Sequence, residues 1–427
     1  MADTATNIHI DTEVVDVPPH PFTIKNKIRE DWFDWTWAKS IIDLRDYLLP
    51  ITWRKFAFYL LYGVMLAAVI ATEIVFNWFS LVNPMTWTFL GMTIFMITVE
   101  PVMNVFIAFM TIPRPTQNKT STELGLTQEE VWDRNKDIAV IIPCHTSENV
   151  IVNTIKHIVP HMREEQIFII HNGSSPTPID STRDVALAHY PRVNYAWSAI
   201  GNKNIAQYIG MKLATQKYKY SLVIDDDVLL PDNFDTGVEM LGGRIKCIAY
   251  PLGALPAEGK SKTWLTKSQD IEYKLSGTCK QLQSNTGSAL YPHGAIALWE
   301  TEAFKRVLYE QHDCVFYAED IKCGIGASRL KYDLYMHSGA YINTQAPMSI
   351  FGAAPNFYSQ RIRSWDMGEH IHFSLFVHNL FLVWWKGDTL WKTIYGNFIR
   401  KFFELYGVYA LFMDLLKPAM IAFGFLY

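Results

Sequence analysis

The chain has 427 residues, enough for one large domain or two ordinary domains with attachments. Its formal net charge of −4 excludes a general electrostatic affinity for nucleic acid. Charged residues make up only 19% and aromatic residues 14%, which disfavours an ordinary soluble enzyme. The five cysteines form no C-x-x-C motif, which indicates reduced thiols in a domain facing the cytosol.

The N-terminal segment, residues 1–54, contains no apolar core of a signal peptide. Within it, residues 31–50 place Trp and aliphatic side chains among Asp and Lys, without an apolar run long enough to span a bilayer. This mixture is typical of an amphipathic helix at a membrane interface, and a buried helix of a soluble domain is the alternative.

A transmembrane hairpin is predicted over residues 55–112. Residues 56–79 and 86–112 are each long and apolar enough to cross a bilayer, and a short uncharged loop joins them. Lys and Arg lie outside both ends of the hairpin, so we expect the N-terminus and the chain that follows the hairpin to be cytoplasmic.

Residues 113–354 predict a cytosolic α/β domain with a mostly parallel sheet, because strand and helix patterns alternate from Asp137 onward. The predicted strands are 137–145, 166–174, 193–199 and 220–228, with helices at 150–162 and 201–213. Ligands of such sheets bind beyond the carboxyl ends of the strands. The polar side chains predicted at those ends are His145, Glu148, His171, Asn172, Lys203, Asp225 and Asp227.

An acidic triplet ends the last of these strands. The apolar run Tyr220–Ile224 is followed directly by Asp225, Asp226 and Asp227. Three adjacent carboxylates repel one another, and a divalent cation that prefers oxygen ligands is the simplest compensation. Strand alternation places Asp225 and Asp227 on one side, so we expect these two to converge on one ion. A solvated acidic turn is the alternative.

The C-terminal part predicts further membrane contact. Residues 371–385 are too short for a comfortable transmembrane span, and the four cations that follow them should stay cytoplasmic. We therefore expect interfacial helices within residues 355–402. Residues 403–427 predict a third transmembrane helix. A four-span arrangement in which 371–385 crosses remains open.

From about residue 55 to the end, the motifs resemble, in order, those of the processive, membrane-embedded glycosyltransferases of family 2, which have the GT-A fold. IIPCHTSE (141–148) resembles the first-strand motif, and HNGSS (171–175) occupies the place of an Asp-Asp-Gly-Ser that touches uracil. GNKNIA (201–206), IDDDV (224–228) and YAEDIKCG (317–324) follow. SQRIRSW (359–365) is similar to the Q-x-x-R-W signature, with Trp one place late, which on an α-helix rotates the indole by about 100°.

The resemblance implies a role for each matching residue. Asp227 is the expected ligand of Mn²⁺ or Mg²⁺, and Asp320 is the expected catalytic base, with an N-cap of the following helix as its alternative. For Arg363 the alternative is a surface salt bridge or a contact with a lipid phosphate. The expected nucleotide-binding residues are Glu148, Asn172, Lys203, Asp225, Gln360 and Arg363. Glu319, Trp365 and Trp299 are expected to gate the acceptor or donor, although core packing is an equal alternative for Trp299.

The function that the resemblance implies is that of an inverting, processive glycosyltransferase. It would use a nucleotide sugar, expected to be a UDP-sugar, to elongate a β-linked polysaccharide of the hyaluronan, chitin or glucan kind and export it. Its expected partners are this donor, the growing polysaccharide, the lipid bilayer and, as an open question, a second copy of itself. We expect the plasma membrane rather than the Golgi. A non-processive glycolipid synthase, such as a ceramide glucosyltransferase, and a catalytically silent membrane scaffold are the alternatives.

Overall fold

The structure is a computed structural model. It describes residues 102–103, 105–111, 116–257, 259–312, 318–352 and 356–426, with single positions between 60 and 98. The interfacial helix predicted over 31–50 and most of the predicted hairpin lie outside these residues. Among the helices that the structure describes, none combines the length and the apolar character needed to cross a bilayer.

The described chain contains ten strands. They are β1 Ile138–Cys144, β2 Ile167–Asn172, β3 Asn194–Ser198, β4 Tyr220–Ile224, β5 Val228–Leu229, β6 Ile245–Ala249, β7 Leu252–Leu255, β8 Ile296–Glu300, β9 Asp333–Met336 and β10 Ile342–Gln345.

From residue 116 onward the structure describes ten α-helices. They are α1 Gln128–Arg134, α2 Ile151–Ile158, α3 Thr182–His189, α4 Lys203–Ala214, α5 Trp264–Thr286, α6 Thr301–Arg306, α7 Glu319–Arg329, α8 Met367–Ile371, α9 Phe373–Leu382 and α10 Leu390–Leu426. Short 3₁₀ turns occupy Glu164–Gln166 and Val238–Met240, and π-helical segments occupy Val307–Gln311 and Tyr358–Asp366.

Seven strands form the main sheet, in the order β3-β2-β1-β4-β8-β6-β9. All neighbours pair in parallel except β8, which is antiparallel to both β4 and β6. A small second sheet has the order β5-β10-β7. The predicted α/β class with a mostly parallel sheet is therefore confirmed, as are the four predicted strands.

Hydrophobic cores cover both faces of the main sheet, which explains the continuous apolar runs of its central strands. Ile141 of β1 packs with Ile205 and Ile209 of α4 on one face. Ile142 packs with Ile155 of α2 on the other face. All residues of β1 and β2 are buried. The buried sheet thus forms a platform, and the acidic triplet begins directly beyond the end of its strand β4.

The C-terminal helix α10 is continuous across residue 402, where the sequence predicts a change from interface to span. Thr389 Oγ1 accepts a hydrogen bond from the Lys392 backbone N–H at 3.2 Å, which satisfies a donor of the first turn. The transmembrane helix that the sequence predicts over 403–427 remains a prediction.

Candidate active site

The acidic triplet lies at the point where the strand order reverses. From β1 the chain proceeds to β2 and β3 on one side and then returns to β4 on the other side. In sheets of this kind the crevice beyond the carboxyl ends of the two diverging strands is the preferred ligand site. The Asp225 backbone N–H donates to Ala295 O at 2.9 Å, which fixes the start of the triplet to the loop before β8.

An ion triad centred on Lys203 connects three elements. Lys203 Nζ lies 2.7 Å from Asp225 Oδ1 and 2.6 Å from Glu319 Oε1. Lys203 is the first residue of α4, which Asn202 caps, and Glu319 is the first residue of α7. Burial alone would lower the pKa of Lys203, but the two carboxylates raise it above its usual range. The ammonium therefore stays charged and holds α7 against the end of β4.

The triplet alternates as its strand pattern predicts. Asp225 and Asp227 line one cleft, whereas the Asp226 carboxylate accepts a hydrogen bond from Ser147 Oγ on the loop that follows β1. Burial raises the pKa of Asp225 to about 6, and Lys203 opposes this rise. Asp226 therefore stabilises the turn, and its two neighbours face the cleft.

Asp227 is the carboxylate of the triplet that is most available to a cation. Thr344 Oγ1 donates to its Oδ1 at 3.2 Å, and no salt bridge to it occurs among the described residues. Burial, followed by the repulsion of Asp225 and Asp226, raises its pKa to about 7. This environment disfavours an isolated anion, so a bound cation would relieve an existing cost.

The donor set fits a divalent ion that is shared with a ligand. The described residues include no cluster of three or more His, Cys, Asp or Glu arranged to hold a metal. Asp227 would supply a carboxylate, while Asp225 is committed to Lys203. Mg²⁺ and Mn²⁺ accept few protein ligands when phosphate oxygens and water complete their coordination. The sequence predicts that Asp225 and Asp227 both bind one ion. In the structure Asp227 alone is left to bind it, with Asp225 beside it.

Asp320 faces the same cleft from the first turn of α7. The N-cap of α7 is Ala318, with φ of 49°, so the alternative that Asp320 caps the helix is wrong. Burial and the adjacent Glu319 raise the pKa of Asp320 to about 6, and Lys280 opposes them. Asp320 is therefore a carboxylate that accepts a proton readily near neutral pH.

The cleft has a volume of about 360 Å³. It collects seven of the predicted site residues, namely Lys203, Asp225, Asp227, Glu319, Asp320, Gln360 and Trp365. Gly294 allows the loop before β8 to lie close to Glu319 of α7, because a Cβ at this position would lie 3.3 Å from Glu319 Oε1. One cavity thus brings together residues that are more than 160 positions apart in the chain.

Trp365 reaches the cleft because its helix is not an α-helix. Residues Tyr358–Asp366 form a π-helical segment, whose i→i+5 hydrogen bonds fit an additional residue into the turn. The rotation of about 100° expected from α-helical geometry therefore does not apply. The indole packs 5.9 Å from the Tyr273 ring, and the Arg361 guanidinium lies 4.8 Å above it.

The structure corrects the gating role that the sequence predicts for Trp299. Its side chain is only 1% exposed and stacks on Phe304 with ring centroids 4.6 Å apart. It belongs to the core between the sheet and α6 and does not line the cleft, so the predicted gating role is wrong and the core alternative holds.

Two predicted nucleotide-binding residues lie at the same sheet edge but outside the wall of the cleft. The Asn172 side chain donates to Cys144 O at 2.7 Å, and the Glu148 carboxylate accepts from Ser181 N at 3.2 Å. Their predicted roles stay predictions. The Arg363 side chain lies outside the described part of the structure, so its role also stays a prediction.

Sequence reasoning missed several residues of the cleft wall. Glu272, Ser276 and Lys280 occur every four residues and line the cleft from α5. This polar i, i+4, i+8 stripe on a helix was the available signal. Lys280 Nζ lies 3.1 Å from Ser276 Oγ and 4.6 Å from the centroid of the Tyr291 ring.

The fold and cleft define an α/β enzyme that concentrates carboxylates at a strand switch point. The chain belongs to the glycosyltransferase-like family 2, because the model of that family matches residues 135–368, more than half of the chain. The protein is thus a family 2 glycosyltransferase with a GT-A-like domain. The comparison with curated proteins gives no match.

Among solved structures, the chain is similar to a mannosyltransferase from Pyrobaculum calidifontis in complex with GDP-Man and Mn²⁺. The identity is 12%, the TM-score 0.44, and the match covers 67% of this chain and 73% of that one. It is also similar to glucosyl-3-phosphoglycerate synthase from Mycobacterium tuberculosis in complex with Mn²⁺, UDP and phosphoglyceric acid. There the identity is 12%, the TM-score 0.36, and the coverage 62% and 84%. Similarities this distant carry no information on the substrate.

Asp227→Asn should change the pH dependence of stability in the metal-free protein. Because folding raises the pKa of Asp227 to about 7 from about 3.9 in the unfolded chain, its favourable contribution is complete below pH 4 and is lost as the pH rises through 7. The variant lacks this loss. Its free energy of unfolding relative to wild type should therefore rise by roughly 1–3 kcal/mol between pH 4 and pH 8.

Denaturant titrations in EDTA at several pH values measure this difference. Asp184→Asn removes an exposed carboxylate on α3 and is the matched control. A difference between Asp227→Asn and wild type that stays constant with pH would contradict the burial of an uncompensated carboxylate.

Proposed function

We propose that this family 2 enzyme is an inverting glycosyltransferase that uses a UDP-sugar and Mn²⁺ or Mg²⁺. The observation that carries this proposal is the Lys203 ion triad. It brings the candidate metal ligand Asp227, next to Asp225, and the candidate base Asp320, next to Glu319, into one cleft. Donor activation and acceptor activation then occur in the same cavity.

The donor side is built to receive a diphosphate. A divalent ion held by Asp227 would neutralise the charge that develops on the leaving group. Guanidinium groups neutralise the same charge through paired hydrogen bonds, and the π-helical segment carries two of them, Arg361 and Arg363. Lys203 lies beside Asp225 at the nucleoside end that the family pattern assigns to that residue.

The acceptor side is built around Asp320. With a pKa near 6, this carboxylate is mostly ionised at neutral pH and can take a proton from an attacking hydroxyl. A single base opposite the leaving group supports direct displacement, so an α-linked donor would give a β-linkage. The rings of Tyr273, Tyr291 and Trp365 line the same cavity and offer stacking faces to a sugar.

An exposed aromatic face supports attachment to a bilayer. Trp391 is 80% exposed, and the exposed residues of α10 recur at the spacing of one helical face. Trp and Tyr favour the lipid headgroup region, and Lys386 and Lys392 beside them are exposed cations. The face consists of Phe381, Leu382, Trp384, Leu390, Trp391, Ile394, Tyr395 and Phe398.

We therefore propose an integral protein of the plasma membrane whose catalytic domain faces the cytosol and whose product is an exported, β-linked polysaccharide of the hyaluronan, chitin or glucan kind. The predicted hairpin before the catalytic domain favours a polymerase. The second candidate is a non-processive glycolipid synthase, because synthases of that kind share the Asp motifs and the Q-x-x-R-W signature.

Asp320→Asn should abolish transfer and leave donor binding largely intact. The amide cannot accept the proton, whereas its shape and its neighbours are preserved, and a general base contributes about 10²–10⁴-fold to the rate. Transfer of labelled sugar and calorimetric binding of UDP with Mn²⁺ measure the two effects separately. Asp184→Asn is the control for charge loss outside the cleft. Loss of binding and transfer together would make Asp320 a structural residue.

Arg363→Ala and Arg361→Ala form a matched pair on one segment. We expect Arg363→Ala to reduce transfer about 10²-fold at saturating metal, because a donor to the developing charge is lost. Arg361→Ala should have a smaller effect, because this guanidinium pairs with Glu272 and lies on Trp365. The reverse order of effects in the same kinetic assay would assign the diphosphate to Arg361.

Product size separates the candidate functions. Purified protein in liposomes is given one labelled donor or a pair of donors, among UDP-glucose, UDP-N-acetylglucosamine and UDP-glucuronic acid, with GDP-mannose as an outlier. A long labelled product on a gel supports the polymerase, and a requirement for two donors supports a hyaluronan-type product. Label confined to lipid-sized material would favour the glycolipid synthase, and no incorporation from any donor would favour the scaffold.

A further inference from the structure

A small cavity lies directly behind the candidate base. Its volume is about 20 Å³, and it shares His293, Gly294, Glu319 and Asp320 with the main cleft. Gln207 of α4 contributes to its wall but not to the wall of the main cleft. The remaining wall is mostly apolar, with Val223, Ala297, Trp299 and Phe304.

Two polar atoms of the residues that line this cavity have no hydrogen-bond partner among the described residues. They are Gln207 Oε1 and His293 Nε2. The two residues are only 4% and 8% exposed. An unpaired buried polar atom is costly, and native structures normally satisfy it with protein or with ordered water.

The protonation of His293 follows from its neighbour. Lys280 Nζ lies 3.3 Å from His293 Nδ1, and an ammonium group can only donate. Nδ1 must therefore accept, which leaves the proton of a neutral imidazole on Nε2. Burial and the Lys280 charge hold the pKa of His293 well below its usual value, in agreement with a neutral ring. His293 thus offers an N–H donor, and Gln207 offers an oxygen acceptor.

We propose that one ordered water occupies this cavity, accepts a hydrogen bond from His293 Nε2–H, and donates to Gln207 Oε1 and to a carboxylate oxygen of the Glu319–Asp320 pair. Gln207 and His293 are then positioning residues for the base. This role for the water rests on the proposed function, in which Asp320 takes the proton of the acceptor.

The cavity has the properties that a buried water requires. Its volume exceeds the roughly 10–15 Å³ needed to hold one molecule, and the proposed three partners are the usual number for a buried water. A fixed water of this kind would restrict the rotation of the carboxylate, so that its free oxygen stays directed at the cleft.

Other charged groups near Asp320 also influence its pKa. Glu319 is its neighbour on α7, Lys280 of α5 and Lys203 of α4 lower its pKa, and Glu369 of α8 lines the same cleft. The water does not touch the donor side of the cleft. Its loss should therefore lower kcat and leave the KM for the donor unchanged.

Gln207→Leu tests the proposal in the full-length protein, because leucine has a similar size but no acceptor. We expect a lower Tm, because the water loses a partner, and a kcat reduced by about three- to tenfold at constant donor KM. Gln207→Asn keeps an amide oxygen and leaves room for a second water, so its kcat should lie closer to that of wild type.

A structure of the wild-type protein at a resolution that shows waters supplies the independent observation. Density within hydrogen-bond distance of both Gln207 Oε1 and His293 Nε2 is expected. An empty cavity, or a Gln207→Leu variant with a raised Tm and an unchanged kcat, would overturn the proposal, since removing an unpaired buried atom stabilises a fold. The density and the Tm do not depend on glycosyl transfer, so failure of the proposed function would be recognised separately.

Discussion

The arrangement of the site depends on one ammonium group placed between two carboxylates. Lys203 joins the end of β4 to the start of α7 through Asp225 and Glu319. Removing one partner of such an ion triad costs more stability than the whole triad contributes, because the remaining charges stay partly buried without their partner. Its value lies in geometry: it sets Asp227 and Asp320 at a fixed separation across a single cleft.

The fold supplies the rest of that geometry from apolar residues. Because β1 and β2 are buried along their whole length, the positions of their carboxyl ends are fixed, and helices on both faces hold the sheet in place. Asp225 and Asp227 then follow directly beyond the end of β4. The Asp225 and Asp227 carboxylates are held in a partly desolvated cleft, where burial raises their pKa values, so a bound cation would favour the charged form of Asp227.

Much of this site was predictable from the sequence, because local patterns determine it. The apolar run before Asp225 predicted β4, and strand alternation predicted that Asp226 faces away. Features that depend on tertiary packing were not predictable. Trp299 has the composition of a sugar-stacking residue but is enclosed by the core, and Trp365 faces the cleft only because its segment is π-helical. Lys280 showed a helical spacing whose meaning depended on what α5 packs against.

The most direct test of the central claim is the coupling between metal and nucleotide binding, measured by calorimetry with purified protein. With Asp227 as the carboxylate left to the ion, Mn²⁺ should bind weakly alone and much more tightly in the presence of UDP, and UDP should gain the same factor from Mn²⁺. Asp227→Asn should remove this coupling. Equal Mn²⁺ affinity with and without UDP, or coupling that survives in Asp227→Asn, would contradict the account.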